Sequence, residues 1–367
     1  MPQVVYTLLV NSAPAASELI DAVQTIEVDV SAEMASVLRI TFGISGTDTG
    51  DWSILADETF TPLTPLQLRL QVGTGLPEAV INAYVTQALV RYADEPAGSA
   101  LEVTAMDATM LMNLEEKVKA WPNMSDGLIA TMIFAEYSIT AMPDSTSPVI
   151  SQPEGMTLQR GTDIRFLQRL ARRNGFECYV QPEPITGLDM GSFGAPRTFS
   201  APSAVLNVNM AEHTNVSNFT VRHRMLRPTR VLAAGIDASN VSSQNAQATS
   251  VTENRLGALD TLSQLDRMPT VLLSDTGLMK SGDLRTLAQA VANRSAWAVQ
   301  AGGLVGEDVG VLRPGTIVNI RGAGAQMSGS YYLTRVSHTI DGNGYAQRFE
   351  ARRNATGLTG SELFVQL

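Results

Sequence analysis

Cysteine occurs once in the 367 residues, as Cys178. A lone thiol excludes an intramolecular disulfide and a CxxC metal site. Histidine occurs three times, at His213, His223 and His338. No two of these are three or four residues apart, so no helix presents the paired imidazoles of a zinc site. No run of about 18 apolar residues is present, so no membrane-spanning helix and no membrane insertion are expected. Charge is scarce: Asp, Glu, Lys and Arg make up 17% of the chain, against about 25% in an average soluble protein. That shortage points to a surface largely covered by partner chains. Lysine is confined to Lys117, Lys119 and Lys280, so nearly all positive charge is arginine. Arginine is weakly hydrated and carries a planar fork of donors, which suits interfaces. With 26 basic residues against 36 acidic ones and a net charge of −10, no specific nucleic-acid partner is expected and anionic membranes are disfavoured.

What is present is alternation. Met1 to Val10 is apolar but lacks a basic leader and is too short for a signal peptide, so it is read as a first strand. Ile26, Val28 and Val30 alternate with Glu27 and Asp29, and Leu38, Ile40 and Phe42 with Arg39 and Thr41. Leu66, Leu68 and Leu70 alternate with Gln67 and Arg69, and Leu101, Val103 and Ala105 with Glu102 and Thr104. Period two places one face in a core and the other toward solvent or a partner.

Helical signals begin after Asp107. Ser125 is a candidate N-cap, followed by Leu128, Ile129, Met132 and Ile133 on one expected face. A Pro/Ser/Thr linker is read from Met142 to Gly155. A helix opening at Thr162 and Asp163 carries Ile164, Leu167, Leu170 and Ala171 on one side and arginines on the other, and Asn174-Gly175 stops it. A second long helix is expected from Asp283 to Gln300, ended by Gly302-Gly303. Ser239 to Thr252 is polar and reads as a loop. Thr316 to Ile320, Ser330 to Ile340 and Tyr345 to Arg353 read as strands, with Asp341-Gly342-Asn343-Gly344 as a hairpin turn. The expected fold is therefore mainly β with an α+β middle. A β barrel spans 1–106, an α/β middle domain 107–204, a second β barrel with one long helix 205–353, and an extended C-terminal tail 354–367. The two β regions are candidates for a diverged duplication, which sequence identity does not reveal.

No constellation carries convincing chemistry, so no catalytic residue, cofactor or metal is assigned. His338 alternates with Val336 and Ile340 and reads as a hydrogen-bonded structural histidine. Cys178 sits in the alternation between Phe176 and Val180 and reads as buried filler. Thr276 to Ser281 ends like a phosphate loop but lacks the glycine before Lys280. Gly322-Ala323-Gly324 is followed by a strand rather than a helix, so no helix N-terminus awaits a pyrophosphate. Asp57-Glu58, Asp94-Glu95, Glu115-Glu116 and Glu307-Asp308 are adjacent acids in turns, not carboxylates placed across a cleft. The densest positive patch is Arg222, Arg224, Arg227 and Arg230, with His223. An acidic chain without nearby stacking aromatics turns that patch toward a salt-bridged subunit interface.

Two segments resemble a known family. Gly161 to Phe176, with its polar cap, Phe166-Leu167, Arg169-Leu170-Ala171 and Gly175-Phe176, is similar to the helix-then-strand of phage late control protein D and the hub part of valine-glycine repeat G proteins. Leu312 to Val318, Gly329 to His338 and Gly344 to Arg353 resemble that family's closing strands, and Ser99 to Asp107 the end of its first barrel. The resemblance implies two tube-like barrels flanking the middle domain and a trimeric baseplate hub of a contractile phage tail or injection system. Such a hub is a symmetry adaptor between a hexameric inner tube and a trimeric spike, assembled in the bacterial cytoplasm and located in the baseplate. The implied partners are two further copies of the chain, the inner tube protein, a separate spike protein, other baseplate proteins, and cargo or tape measure in the lumen. Leu358, Leu363, Phe364, Val365 and Leu367 are the expected contacts with the spike or a neighbour. No enzymatic activity is expected. The alternatives are a peptidoglycan- or glycan-acting hydrolase, which requires a carboxylate-lined cleft, and a carbohydrate-binding protein, which requires clustered aromatics. Trp52, Trp121 and Trp297 are scattered.

Overall fold

The computed structural model describes residues 4–46, 51–55, 59–94, 98–146, 156–237, 240–263, 267–274, 281–362 and 364. The first β region comprises β1 (Val4–Val10), the two-residue β2 (Ala13–Pro14), helix α1 (Ser17–Asp21), β3 (Val23–Ser31), β4 (Val37–Gly43), β5 (Pro65–Val72), β6 (Glu78–Arg91) and β7 (Ala100–Met106). The middle comprises β8 (Glu116–Trp121), α2 (Asp126–Glu136), β9 (Thr140–Pro143), β10 (Thr157–Thr162), α3 (Asp163–Asn174), β11 (Glu177–Pro182) and β12 (Asp189–Gly194). The last part begins with β13 (Pro202–Asn207), β14 (Val216–His223), β15 (Arg230–Asp237), β16 (Ser242–Ala248), β17 (Leu259–Asp260) and β18 (Thr270–Leu273). It continues through α4 (Ser281–Ala296), β19 (Val299–Val305), β20 (Ile317–Arg321), β21 (Gly329–Asp341), β22 (Gly344–Arg353) and β23 (Ala355–Thr356).

The protein is mainly β, as the alternation implies. In the first region the inward residues of six strands, among them Leu8, Ile26, Ile40, Leu68, Ile81 and Val103, form one buried core. In the last region Leu206, Val216, Ala301, Val318, Tyr331 and Phe349 form a second core, again drawn from six strands. Each set of strands thus curls around its own apolar centre, the arrangement that removes exposed faces from a small antiparallel sheet. The middle has a third core, with Trp121, Ile133, Phe166, Leu167 and Phe193 between α2, α3 and short sheets.

Local chemistry explains the helices. Ser125 caps α2 by accepting from the Leu128 amide at 3.3 Å. The buried face of α2 is Ile129, Ala130, Ile133 and Phe134, while Leu128 and Met132 are exposed, so the expected face is rotated. At α3, Gly175 adopts φ 76° as the left-handed stop. Asp163 in its first turn accepts from Lys117, Tyr137 and Gln159, each at 2.6 Å. Burial alone would raise the Asp163 pKa, but these three donors hold it below the usual carboxylate value.

Four further expectations need correction. The second long helix ends at Ala296, not Gln300, and Gly302 and Gly303 lie inside β19. Gly303 is required by packing: a Cβ there would lie 2.8 Å from Val216 Cγ1 and 3.1 Å from the Phe349 ring. The loop read from 239 to 252 contains β16, antiparallel to β15; residue 239 itself lies outside the described residues. Its period-two pattern is written in Ser, Gln and Ala, with Ala246 and Ala248 packed toward α4, and so has no apolar contrast. The stretch after Arg353 begins as β23, buried and paired with β17, before it becomes exposed. Of the linker from Met142, residues 147–155 lie outside the described residues, while Met142 and Pro143 belong to β9, parallel to β12.

Candidate functional site

The two β regions have one strand plan. Take the six long strands of each in chain order: β1, β3, β4, β5, β6, β7, and β13, β14, β19, β20, β21, β22. Their spatial orders are β1-β5-β6-β7-β4-β3 and β13-β20-β21-β22-β19-β14. Both read first, fourth, fifth, sixth, third, second. One difference is the direction of the first strand: β1 is antiparallel to β5, and β13 is parallel to β20. The second region also carries an insertion between β14 and β19, in which the sheet β16-β15-β18 packs on α4 through Val231, Ala233, Leu284 and Ala288.

The correspondence extends to single residues. The β6–β7 register shifts between Val85 and Gln87, and the β21–β22 register between Leu333 and Arg335. The bulged residue is a threonine in both. Thr86 Oγ1 donates to the Thr104 carbonyl at 3.1 Å, and Thr334 Oγ1 to the Glu350 carbonyl at 3.2 Å. One strand over, Gln67 bonds Asn82 at 2.7 Å, and in the matching place Ser330 bonds Asn319 at 2.8 Å. Pro65 opposite Tyr84 matches Ile317 opposite Tyr332.

The two units join edge to edge. The start of β21 pairs with β20, and beyond its bulge the same edge of β21 pairs antiparallel with β3, from Arg335 opposite Ser31 to Ile340 opposite Ile26. Val28 and Val30 are buried at this joint opposite His338 and Val336. Arg335 forms a two-pronged ion pair with Asp29, and Ser337 Oγ lies 3.3 Å from the same carboxylate. The Asp29 carboxylate raises the guanidinium pKa of Arg335 further.

The middle domain is tied to both units by a charged knot around a cavity of about 250 Å³. Arg352 pairs with Glu33 at 2.5 Å and with Glu177, and lies over Trp297 at 4.6 Å. Tyr332 donates to Glu177 at 2.5 Å, and Trp297 Nε1 to Glu253 at 2.8 Å. Burial raises the pKa of both Glu177 and Glu253, and Arg352 opposes the shift. The balance of acids and bases makes this knot a clamp between parts of the chain.

The arginines of the predicted patch are spread over three elements. Arg222 points out from β14, Arg224 and Arg227 lie in the following turn, and Arg230 opens β15. Arg227 is half-buried and caps the end of α4, donating to the Trp297 carbonyl at 2.7 Å and the Arg294 carbonyl at 3.4 Å. In the tail, Leu358 is 40% exposed and the Phe364 carbonyl accepts from Arg321 at 3.4 Å. Leu363, Val365 and Leu367 lie outside the described residues. His338 is fully buried, bonds Tyr345 at 2.8 Å through Nδ1, and is pushed down to about 3 by burial. Burial pushes the Cys178 thiol up to about 12. The phosphate-loop mimic is also outside the described residues except for Ser281, as are Asp57, Glu58 and Glu95. Among the described residues no helix is long and apolar enough to cross a membrane.

Sequence reasoning missed two unpaired edges. Among the described residues, β14 pairs with β19 alone, and β6 beyond Val85 pairs with β7 alone. Thr86 to Leu89 are exposed although they continue a central strand.

A family model described as the Alg8 N-terminal domain matches residues 3–342. No curated protein matches the chain in sequence. Among solved structures, the chain resembles a tail protein from Neisseria meningitidis with a TM-score of 0.67 at 10% identity, over 96% of this chain and 97% of that one. A 43 kDa prophage tail protein from Shewanella oneidensis is similar at TM-score 0.63 and 13% identity, over 95% and 98%. An Escherichia coli component of the type VI secretion system, itself described as similar to bacteriophage T4 tail proteins, matches at TM-score 0.57 and 13% identity, over 94% and 76%. The chain has the fold of these tail proteins.

Proposed function

The chain belongs to the Alg8 N-terminal domain family and has a tail-protein fold, and from these premises we propose that it is a non-enzymatic baseplate hub. In this reading it corresponds to late control protein D and to the hub part of valine-glycine repeat G proteins. Three copies form a ring in a contractile phage tail or a contractile injection system. The ring joins a hexameric inner tube to a trimeric spike carried by a separate chain, and cargo or tape measure passes through its lumen.

The observation that carries the proposal is the repeated strand plan with its edge joint. One chain holds two equivalent six-stranded units, so three chains offer six equivalent faces to a six-fold tube while keeping three-fold symmetry for a spike. Arg222, Arg224 and Arg230 are assigned to the interface between subunits. Leu358 and Phe364 are assigned to the spike or a neighbouring subunit.

Mass determination in solution, alone and with candidate tube and spike proteins, tests this reading. It predicts three chains that retain both partners and give no turnover on peptidoglycan or other glycans. A single chain that ignores both partners contradicts it.

A further inference from the structure

The joint between β21 and β3 uses the fifth strand of one unit and the second strand of the other. The two strands left over are the fifth strand of the first unit, β6, and the second strand of the second unit, β14. Among the described residues both are open on the corresponding edges. We propose that β14 of one copy adds antiparallel to residues 87–91 of β6 in the next copy, repeating between chains the joint already present within each chain. This deepens the ring reading above and rests on it.

The register follows from the matched bulges. Thr86 corresponds to Thr334, so Gln87 to Arg91 correspond to Arg335 to Thr339. Through β4 and β19, Asp29 corresponds to Arg222 and Val28 to Val221. Since Ser337 faces Asp29 and His338 faces Val28 within the chain, Leu89 faces Arg222 and Val90 faces Val221 between chains. An open edge with unpaired amides and carbonyls and no proline is a ready template for such addition.

Side chains on both edges fit. On the inward face, Val90 is only partly buried against the first core, and Phe219 and Val221 only partly against the second. Closing the joint covers all three, as Val28 and Val30 are covered in the internal copy. On the outward face the charges change places. The internal row across three strands is Arg348, Ser337, Asp29; the proposed row is Glu102, Leu89, Arg222. Adjacent strands lie about 4.8 Å apart, so Glu102, which pairs with Arg91 at 3.0 Å within the chain, can also reach the incoming Arg222 over Leu89. The joint is heterologous and propagates from copy to copy until the ring closes.

Cysteine pairs test the register. Leu89→Cys with Arg222→Cys in one chain predicts, on mild oxidation, disulfide-linked species up to three chains; Cys178 is buried and stays silent. Leu89→Cys with Thr220→Cys, on the same face but two residues out of register, predicts no link because the Cα atoms are too far apart. A trimer by mass that fails to link through Leu89 and Arg222, or that links through Thr220, overturns the joint and leaves the hub reading standing. A chain that stays single at every concentration overturns both. Charge reversal gives a second readout: Glu102→Arg or Arg222→Glu alone weakens association at least tenfold, and the two together restore it. Failure of the double variant to restore association counts against the proposed row.

Discussion

Thr86 and Thr334 occupy one place in two copies of the same strand: each bulges out of its ladder and donates its hydroxyl to the carbonyl of the residue across the hairpin. The bulges bend β6 and β21 at corresponding points. In β21 the bend is where the strand leaves β20 and takes up β3. A bulge that redirects a strand and ends one pairing is a built feature of a fold.

Replacing either threonine by valine removes a single hydrogen bond while keeping the shape. Each variant is expected to cost about 1 kcal/mol, and the two costs should agree within about 0.5 kcal/mol. Denaturant unfolding at fixed protein concentration measures this. A cost confined to Thr334 would mean that the two bulges are not equivalent in energy.

Arg352 and Glu177 have side chains only 14% and 10% exposed. Arg352→Met leaves the Glu177 carboxyl buried without its cation, at an expected cost of about 3–5 kcal/mol. Adding Glu177→Gln should recover most of that loss. If the double variant is as unstable as the single one, packing over Trp297 and not charge is what Arg352 contributes.

Gly303→Ala places a methyl 2.8 Å from Val216 and against the Phe349 ring. The expected loss is about 1–3 kcal/mol, read as a lower unfolding midpoint. An unchanged midpoint would show that β14 can give way at this point.

Asp189 is one source of pH dependence. Burial raises its carboxyl to about 6, opposed by a hydrogen bond from Asn82. The folded state therefore favours the protonated acid. Its contribution is complete below pH about 4 and is lost as pH rises through about 6. Asp189→Asn keeps an acceptor for Asn82 and removes the titration. The variant should be about 1–2 kcal/mol more stable at pH 7 and flatter between pH 4 and 6. A parallel profile for the two proteins would rule out this assignment.

The alternation of Ile26 to Val30, Leu38 to Phe42 and Tyr345 to Arg353 announced strands because each has one apolar face. The helix from Asp163 was legible for the same reason, and its Gly175 stop follows from positive φ. The equivalence of the two units was not legible. It resides in backbone register, and the matched side chains differ: Glu102 against Arg348, Val103 against Phe349, Asp29 against Arg222. Nor could a linear pattern reveal that β3 pairs with β21, since two edges far apart in sequence share no local signal. β16 escaped because small polar residues alternate without apolar contrast, and the end of α4 because the glycines of β19 look like a helix stop. The open edges of β6 and β14 are visible only once the strand pairing of both units is known.

The most direct measurement is electron microscopy of the purified assembly, with its mass determined on the same sample. The account predicts an inner ring of six β units around a central opening in particles that contain three chains, with the middle domain and the second unit's insertion repeated three times around it. An inner ring of three units from three chains, or of six units from six chains, would contradict it.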